Sequence, residues 1–227
     1  MPIPARTWDM IITIDGPAGS GKSTAARELA KALGIAHLDT GATYRAVTLL
    51  AMRRGVDLAD QAALAELARG MDIKMVPSPG RVGVLLDGKD VTDDIRTEAV
   101  SANSRYAASS AAVREVLVEL QRRLGQELGS FVTEGRDQGS VVFPEADVKF
   151  YLNATPAERA RRRCEELQSH GQQANYETVL EAIVQRDHRD RNRTVGPLVV
   201  PDGATIIDTS DTKIPQVTRK LLDHMRA

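Results

Sequence analysis

Cysteine occurs once in the 227 residues, as Cys164. A single thiol excludes an intrachain disulfide framework and any multi-thiolate zinc site, fits a reducing compartment, and reads as a small buried packing residue. The four histidines, His37, His170, His188 and His224, show no metal-ligand spacing with the cysteine or with one another, so no dedicated protein metal site is expected. His37 reads as a strand residue with a packing or hydrogen-bonding role. No apolar run approaches the roughly 18 residues that a bilayer span requires. The opening stretch from Met1 to Asp9 lacks a basic region followed by an apolar one. The expectation is a soluble cytoplasmic chain with no export signal and no membrane partner. A preponderance of one charge is missing as well: 30 basic residues against 31 acidic leave a net charge of -1, which disfavours nucleic-acid binding by charge alone. There is no internal repeat, low-complexity tract or obvious linker.

Lysine is scarce within that neutral total. Only 7 of the 30 basic residues are Lys, and between Asn153 and Asp211 there are eight arginines and no lysine. Arginine's planar fork grips phosphate with two parallel hydrogen bonds where lysine is a point charge, although genomic composition bias would give the same excess. What the chain has in quantity is apolar residues, 42%, enough for the core of one α/β domain with a small insert.

The run from Met10 to Ile14 is short, partly β-branched and ends at Asp15-Gly16-Pro17, as a buried strand meeting a turn does. A helix is predicted from about Lys22 to Leu33 and closed by Gly34. A second strand follows at Ile35 to Leu38, then a helix with Ala46, Leu49 and Leu50 near one face. This alternation favours a parallel sheet. At roughly 71 to 95 the period changes. Ile73 and Met75 alternate with polar residues, Pro77-Ser78-Pro79-Gly80 breaks the chain, and Val82 to Leu86 runs into Asp87-Gly88, so a small antiparallel insert is predicted. Val113, Val116, Leu117, Leu120 and Leu124 form an ordinary core stripe on a helix from Ala111 to Leu128. Phe131 to Thr133, Val148 to Leu152 and Thr205 to Ile207 supply three more strands, giving five core strands with crossing helices.

Gly16-Pro17-Ala18-Gly19-Ser20-Gly21-Lys22-Ser23 fits the pattern G-x-x-x-x-G-K-S/T immediately after a strand and opening a helix. Glycines let backbone N–H groups curl around an anion, the helix N-terminus adds partial positive charge, Lys22 reaches the terminal phosphates, and Ser23 offers its hydroxyl to Mg²⁺. The candidate triphosphate-binding residues are Gly16, Ala18, Gly19, Ser20, Gly21, Lys22, Ser23 and Thr24. ATPases, GTPases and small-molecule kinases share the pattern. No Asn/Thr-Lys-x-Asp guanine-reading element is present, which weakens the GTPase reading.

Two further clusters lie just past strands, where ligands bind in such sheets. One is Leu38-Asp39-Thr40-Gly41-Ala42-Thr43-Tyr44-Arg45; the other is Thr133-Glu134-Gly135-Arg136-Asp137-Gln138-Gly139-Ser140-Val141-Val142-Phe143-Pro144. At 100° per residue Val179, Ile183, Arg186, Asp190 and Arg193 point within about 40° of one direction, an apolar stripe that turns charged. Either the helix passes from the core into a polar ligand-filled cleft, or Arg186 and Asp190 are an exposed i,i+4 pair. Arg159, Arg162 and Arg163 share a face after Thr155-Pro156 and read as a lid over a triphosphate, the alternative being a solvated face paired with Glu158, Glu165 and Glu166.

Together with Arg186-Asp187-His188-Arg189-Asp190-Arg191-Asn192-Arg193, these segments resemble bacterial cytidylate kinases, nucleoside monophosphate kinases of the P-loop superfamily, from about Met10 to the C-terminus. Gln138 and Ser140 stand where the family has an apolar residue and Thr, and His188 where Asp is frequent. The insert with Asp87-Gly88 and Ile95-Arg96-Thr97 resembles the acceptor-domain extension of the bacterial enzymes. The resemblance implies an α/β P-loop kinase fold: a five-stranded parallel sheet flanked by helices, a small antiparallel β insert and an Arg-rich helical lid. As one unit of 1–227, it would have its core at 10–50, 108–155 and 200–227, an acceptor domain at about 51–107 and a lid at about 155–195.

The activity implied is transfer of the γ-phosphoryl group of ATP to CMP and dCMP with Mg²⁺, by a monomer acting on small nucleotides. The alternatives are another acceptor, such as UMP, AMP or a small metabolite, or a regulatory nucleotide-binding module. By similarity Ser104, Arg114 and Asp137 would read cytosine, Arg45 and Arg136 hold the acceptor phosphate, Arg186 and Asp190 address the ribose, and Arg193 bridge towards the transferred phosphate; Thr40 and Tyr44 join the acceptor set. The implied catalytic residues are Lys22, Arg136, Arg159, Arg163 and Arg193. Asp39 or Glu134 would orient Mg²⁺ through water, and the sequence does not choose between them.

Overall fold

The computed structural model describes residues 10–78, 81–169 and 171–225. The opening stretch Met1 to Asp9, the Pro79-Gly80 break and His170 lie outside the described residues. Each expected strand and helix has a counterpart. The chain opens with β1 (Ile11–Asp15), α1 (Lys22–Leu33), β2 (Ala36–Asp39) and α2 (Thr40–Arg53). Both strands run one residue past their apolar run, ending on the carboxylates Asp15 and Asp39. Then follow α3 (Gln61–Arg69), β3 (Ile73–Ser78), β4 (Arg81–Leu86), β5 (Lys89–Asp90), a 3-10 turn (Asp94–Arg96), α4 (Glu98–Ser109) and α5 (Ala111–Leu128). The rest comprises β6 (Phe131–Gly135), a π turn (Gln138–Val142), β7 (Val148–Asn153), α6 (Pro156–Ser169), α7 (Tyr176–Asn192), β8 (Thr205–Asp208) and α8 (Ile214–His224).

The boundaries have local causes. Asp39 accepts from the Ala42 N–H at 3.1 Å and caps α2, Asn175 accepts from the Thr178 N–H at 3.0 Å and caps α7, and Pro156 opens α6 where its missing N–H is harmless. Five strands form one sheet in the order β2-β6-β1-β7-β8. β1 and β7 pair in parallel with Ile12 opposite Val148, and β7 pairs in parallel with β8 with Phe150 opposite Thr205. The insert is a three-stranded antiparallel sheet, β3-β4-β5, with Ile73 opposite Leu86. The expected parallel sheet and antiparallel insert are both present. Among the described residues no helix is long and apolar enough to cross a membrane.

The chain divides into two compact units, with the cut in β6 between Thr133 and Glu134. The first comprises Ala30–Thr133 with Met10. Its core joins Leu38, Val47 and Leu50 to Leu64, Ile95 and the α5 stripe Val113, Leu117, Leu120 and Leu124. The second comprises Ile11–Leu29 and the chain from Glu134 onward, with Ile12, Ile14, Leu29, Phe150, Leu152 and Leu221 buried. Cys164 is buried here as a free thiol.

One glycine fixes how the second unit leaves β1. Gly16 has φ +147°, and a Cβ there would lie 2.0 Å from the Leu152 carbonyl oxygen of β7, a clash that no side-chain rotation relieves. Gly55 has φ +65° with nothing within 4 Å of its would-be Cβ. Gly55→Ala should therefore cost only the left-handed backbone term, about 1 kcal/mol, whereas Gly16→Ala must move β7 or the loop and should cost several times as much. Urea unfolding of both variants checks this, and equal losses would overturn the clash account.

Candidate functional site

The loop from Gly16 to Gly21 joins β1 to α1, so the N-terminal N–H groups and partial positive charge of a 12-residue helix lie at its end. Lys22 is buried, and its Nζ donates to the Pro17 carbonyl at 2.6 Å, curling over the loop. Burial, with the Arg136 guanidinium near it, pushes the Lys22 pKa well below the ordinary lysine value against the opposing pull of Glu134 and Asp15. A polyphosphate beside it would restore the charge that burial opposes. Ser23 donates its hydroxyl to Glu134 Oε1 at 2.8 Å. Of the two carboxylates that the sequence left open for Mg²⁺, Glu134 is thus the one beside Ser23. A hydroxyl and a carboxylate are the hard oxygen donors this cation takes, so the pair fits it.

Asp15, the last residue of β1, is fully buried and accepts from the N–H groups of Gln138 (2.8 Å) and Gly139 (2.7 Å), the first two residues of the π turn. It ties the start of the phosphate loop to the segment carrying Arg136 and Asp137. Burial raises its pKa to about 6 despite the two backbone donors, with Asp137 adding to the rise and Lys22 opposing it. Gly139 permits the approach: a Cβ there would sit 2.7 Å from Thr13 Oγ1.

Past β6, Arg136 Nε donates to Asp190 Oδ2 at 2.9 Å, Arg186 lies 4.0 Å from the same oxygen, and Arg193 lies 3.8 Å from Asp137. Burial alone would raise the Asp190 carboxyl, but Arg136, then Arg186 and Arg193, hold it below its ordinary value. The charged end of the α7 stripe therefore meets the Arg136-Asp137 segment. Its apolar part is only half covered, and the i,i+4 contact of Arg186 with Asp190 is longer than the bond from Arg136.

The three arginines read as a lid on α6 differ in their surroundings. Arg159 is 1% exposed, and each of its three guanidinium nitrogens has a partner. It forms a bidentate pair with Asp187 (3.0 and 2.5 Å), while Nε donates to the Ala154 carbonyl at 2.9 Å and Nη1 to the Ala18 carbonyl of the phosphate loop at 3.0 Å. Arg162 binds Glu158 at 2.8 Å and donates to the Thr209 carbonyl; Arg163 pairs with Glu166 at 2.7 Å on the surface. Hydrogen bonds from Arg161 and Arg162 hold the Glu158 carboxyl well below the usual range. Beside these groups opens a cavity of about 740 Å³ lined by Gly21, Thr24, Glu158, Arg162, Thr212 and Ile214 among others, directly at the start of α1. Its size suits a small organic ligand. Thr209 Oγ1, buried at 3.0 Å from the Ser20 carbonyl, fastens the loop after β8 to the phosphate loop.

The first unit carries the other cluster. Asp39 accepts from Arg45 at 2.9 Å and Arg96 at 3.0 Å while capping α2. The Arg114 guanidinium is buried over the Tyr44 ring, 5.6 Å from its centroid. Thr40 is buried at the start of α2, and the Ser104 hydroxyl donates to the Ser101 carbonyl of its own helix at 2.8 Å.

The family model described as cytidylate kinase matches residues 12–227. This chain belongs to the cytidylate kinase family. A cytidylate kinase of Pelotomaculum thermopropionicum is 48% identical over 217 residues, covering 95% of this chain and 96% of the relative. One of Rhodococcus opacus is 44% identical over 216 residues, covering 95% and 94%. Among solved structures, a shikimate kinase from Bacteroides thetaiotaomicron aligns with a TM-score of 0.50 at 13% identity over 96% of this chain and 99% of its own, a likeness of fold.

Sequence reasoning missed Asp15, Asp187, the residues after β8 that line the cavity, Ser210 to Ile214, and Arg96 as a partner of Asp39. The available signal was a carboxylate ending an apolar strand at Asp15, since a buried charge needs partners. Asp187 lies three residues before Asp190 and off the stripe, so periodicity passed over it.

Truncating Asp187 leaves the Arg159 cation buried without its partner, so Asp187→Ala should cost about 3–5 kcal/mol in urea unfolding, while a double apolar replacement of both residues should cost much less. Equal losses in the single and double variants would contradict this. For Asp15 the folded pKa of about 6 exceeds the unfolded 3.8, so the folded state holds the extra proton between those values. The stability contributed by this group is complete below the unfolded value and declines as pH rises through about 6, by roughly 3 kcal/mol. The stability difference between wild type and Asp15→Asn should change across that window; a constant difference would refute the shift.

Proposed function

We propose that the chain transfers the γ-phosphoryl group of ATP to CMP, giving ADP and CDP, and does the same with dCMP. The observation that carries this reading is a complete phosphate cradle, with Lys22 on the loop and Ser23 beside Glu134, in a chain of the cytidylate kinase family. The bond between the γ-phosphorus and the β,γ-bridging oxygen breaks as a CMP phosphate oxygen forms the new bond. That phosphate is already largely dianionic near neutral pH, so no strong base is needed. The demands are in-line placement, neutralisation of charge and exclusion of water.

In this reading the triphosphate lies on Gly16, Ala18, Gly19, Ser20, Gly21, Lys22, Ser23 and Thr24, and the nucleoside end of ATP fills the cavity at Thr24, Arg162 and Ile214. Mg²⁺, held through Ser23 and by Glu134 through water, would neutralise charge on the donor phosphates. Lys22, Arg136, Arg163 and Arg193 supply further cationic stabilisation. Arg159 acts from beneath, by fixing the Ala18 carbonyl of the loop. The residues proposed for the acceptor nucleotide are Thr40, Tyr44, Arg45, Ser104, Arg114, Arg136, Asp137, Arg186, Asp190 and Arg193. Cytosine offers an amino donor that suits the Asp137 carboxylate, whereas uracil would set a carbonyl against it. The proposed setting is a cytoplasmic monomer.

ADP release from Mg·ATP should be fast with CMP and dCMP, and slow with UMP, AMP, GMP or no acceptor. Turnover independent of any monophosphate would point instead to a regulatory nucleotide-binding module. Asp137→Ala should lower the kcat/KM preference for CMP over UMP by at least tenfold; an unchanged preference would mean that another residue reads the base.

A further inference from the structure

β8 ends at Asp208, whose carboxylate accepts from the Ser210 N–H at 2.7 Å and turns the chain. Thr209, between them, is 1% exposed. Its N–H donates to the Asn153 carbonyl at the end of β7 at 2.8 Å, which fixes its backbone. Its Oγ1 lies 3.0 Å from two carbonyl oxygens, that of Asn153 and that of Ser20 in the phosphate loop. A hydroxyl has one proton for these two acceptors. Because the Asn153 carbonyl already receives the Thr209 N–H, Ser20 is the acceptor that gains more from the hydroxyl.

Arg162 of α6 approaches the same residue. Its Nη1 lies 3.4 Å from Thr209 Oγ1, its Nη2 donates to the Thr209 carbonyl, and its Nε holds Glu158 at 2.8 Å. A guanidinium on the hydroxyl oxygen polarises the O–H and strengthens its donation to Ser20. A trans peptide is rigid, and its C=O and N–H point in opposite directions. Anchoring the Ser20 carbonyl on Thr209 therefore turns the Gly21 N–H the other way, away from Thr209. Arg159 does the same for the Gly19 N–H by holding the Ala18 carbonyl at 3.0 Å. Gly21 has φ +89°, and Ile214 Cδ1 would lie 3.1 Å from a Cβ there. The connection from β8 to α8 thus meets the Ser20-Gly21 peptide at two points, a hydrogen bond on its carbonyl and an apolar contact beside its glycine.

We propose that Thr209 is a positioning residue for the phosphoryl donor: its hydroxyl holds the Ser20-Gly21 peptide so that the Gly21 N–H is aimed at the donor's phosphates before they arrive. A donor group fixed in advance costs no reorganisation when charge moves in the reaction. Thr209 acts through Ser20, with Arg162 steadying it from α6. This inference rests on the reading of ATP as donor.

Thr209→Val removes the hydroxyl and keeps the branched shape, while Thr209→Ser keeps the hydroxyl. With CMP as acceptor, Thr209→Val should raise the KM for Mg·ATP by about tenfold or more, the effect of one lost hydrogen bond to a buried carbonyl. The KM for CMP at saturating Mg·ATP should not change, and Thr209→Ser should restore the KM for Mg·ATP. An unchanged KM for Mg·ATP, equal rises for both substrates, or a Ser variant as impaired as Val would overturn the role of Thr209 and leave the ATP reading intact. Should Thr209→Val fail to fold, Thr209→Ala gives the same comparison. If neither folds and Thr209→Ser does, the hydroxyl serves folding and the proposal fails. Wild-type protein with no turnover of Mg·ATP would overturn the ATP reading itself.

Discussion

A protein that receives polyanions must keep its cations in place while the anions are absent, and that constraint organises both units. A buried or clustered positive charge with nothing to answer it is destabilising, so the cations proposed to meet the nucleotide phosphates each rest on an acceptor of the protein itself. Lys22 rests on the Pro17 carbonyl, Arg136 on Asp190, and Arg45, beside Arg96, on Asp39. The acceptors differ in kind. A carbonyl oxygen holds Lys22 in place but does little to keep it charged, and burial lowers its pKa well below the ordinary lysine value. The carboxylates orient their arginines through charge-assisted hydrogen bonds. Arg159 is the exception: its partners Asp187, Ala154 and Ala18 engage all three guanidinium nitrogens, which makes it part of the loop's support.

Much of this was legible in the sequence because the signals were local. The bounds of α1 and α5 follow from their apolar spacing and glycine stops, the insert follows from alternation around a Pro/Gly break, and the phosphate loop follows from glycine and lysine spacing. The illegible parts depend on contacts between distant segments. Periodicity placed Arg159 with Arg162 and Arg163 on one face, but a helical wheel does not show that α7 brings a carboxylate to the first of them. The choice between Asp39 and Glu134 beside Ser23 likewise turned on a hydrogen bond across 111 residues of chain. α3 and α4 went unassigned, for α3 is short and α4 buries only Val100 and Ala107, too few for a clear stripe.

The place of β1 in the sheet governs the order in which the protein can assemble during synthesis. Its two neighbours are β6 and β7, which begin at Phe131 and Val148, and the register sets Ile12 opposite Val148. β1 therefore emerges from the ribosome well before either neighbour, with both edges unpaired, and waits for its partners. Contacts of such sequence separation close slowly, and an exposed apolar strand in the interval is open to mispairing. The residues Ala30–Thr133, by contrast, carry a core of their own whose members are all translated before β7. Vectorial synthesis thus favours early consolidation of the unit bearing Asp39, Arg45 and Arg96, whereas the phosphate loop acquires its shape only when Leu152 arrives to set its carbonyl against Gly16.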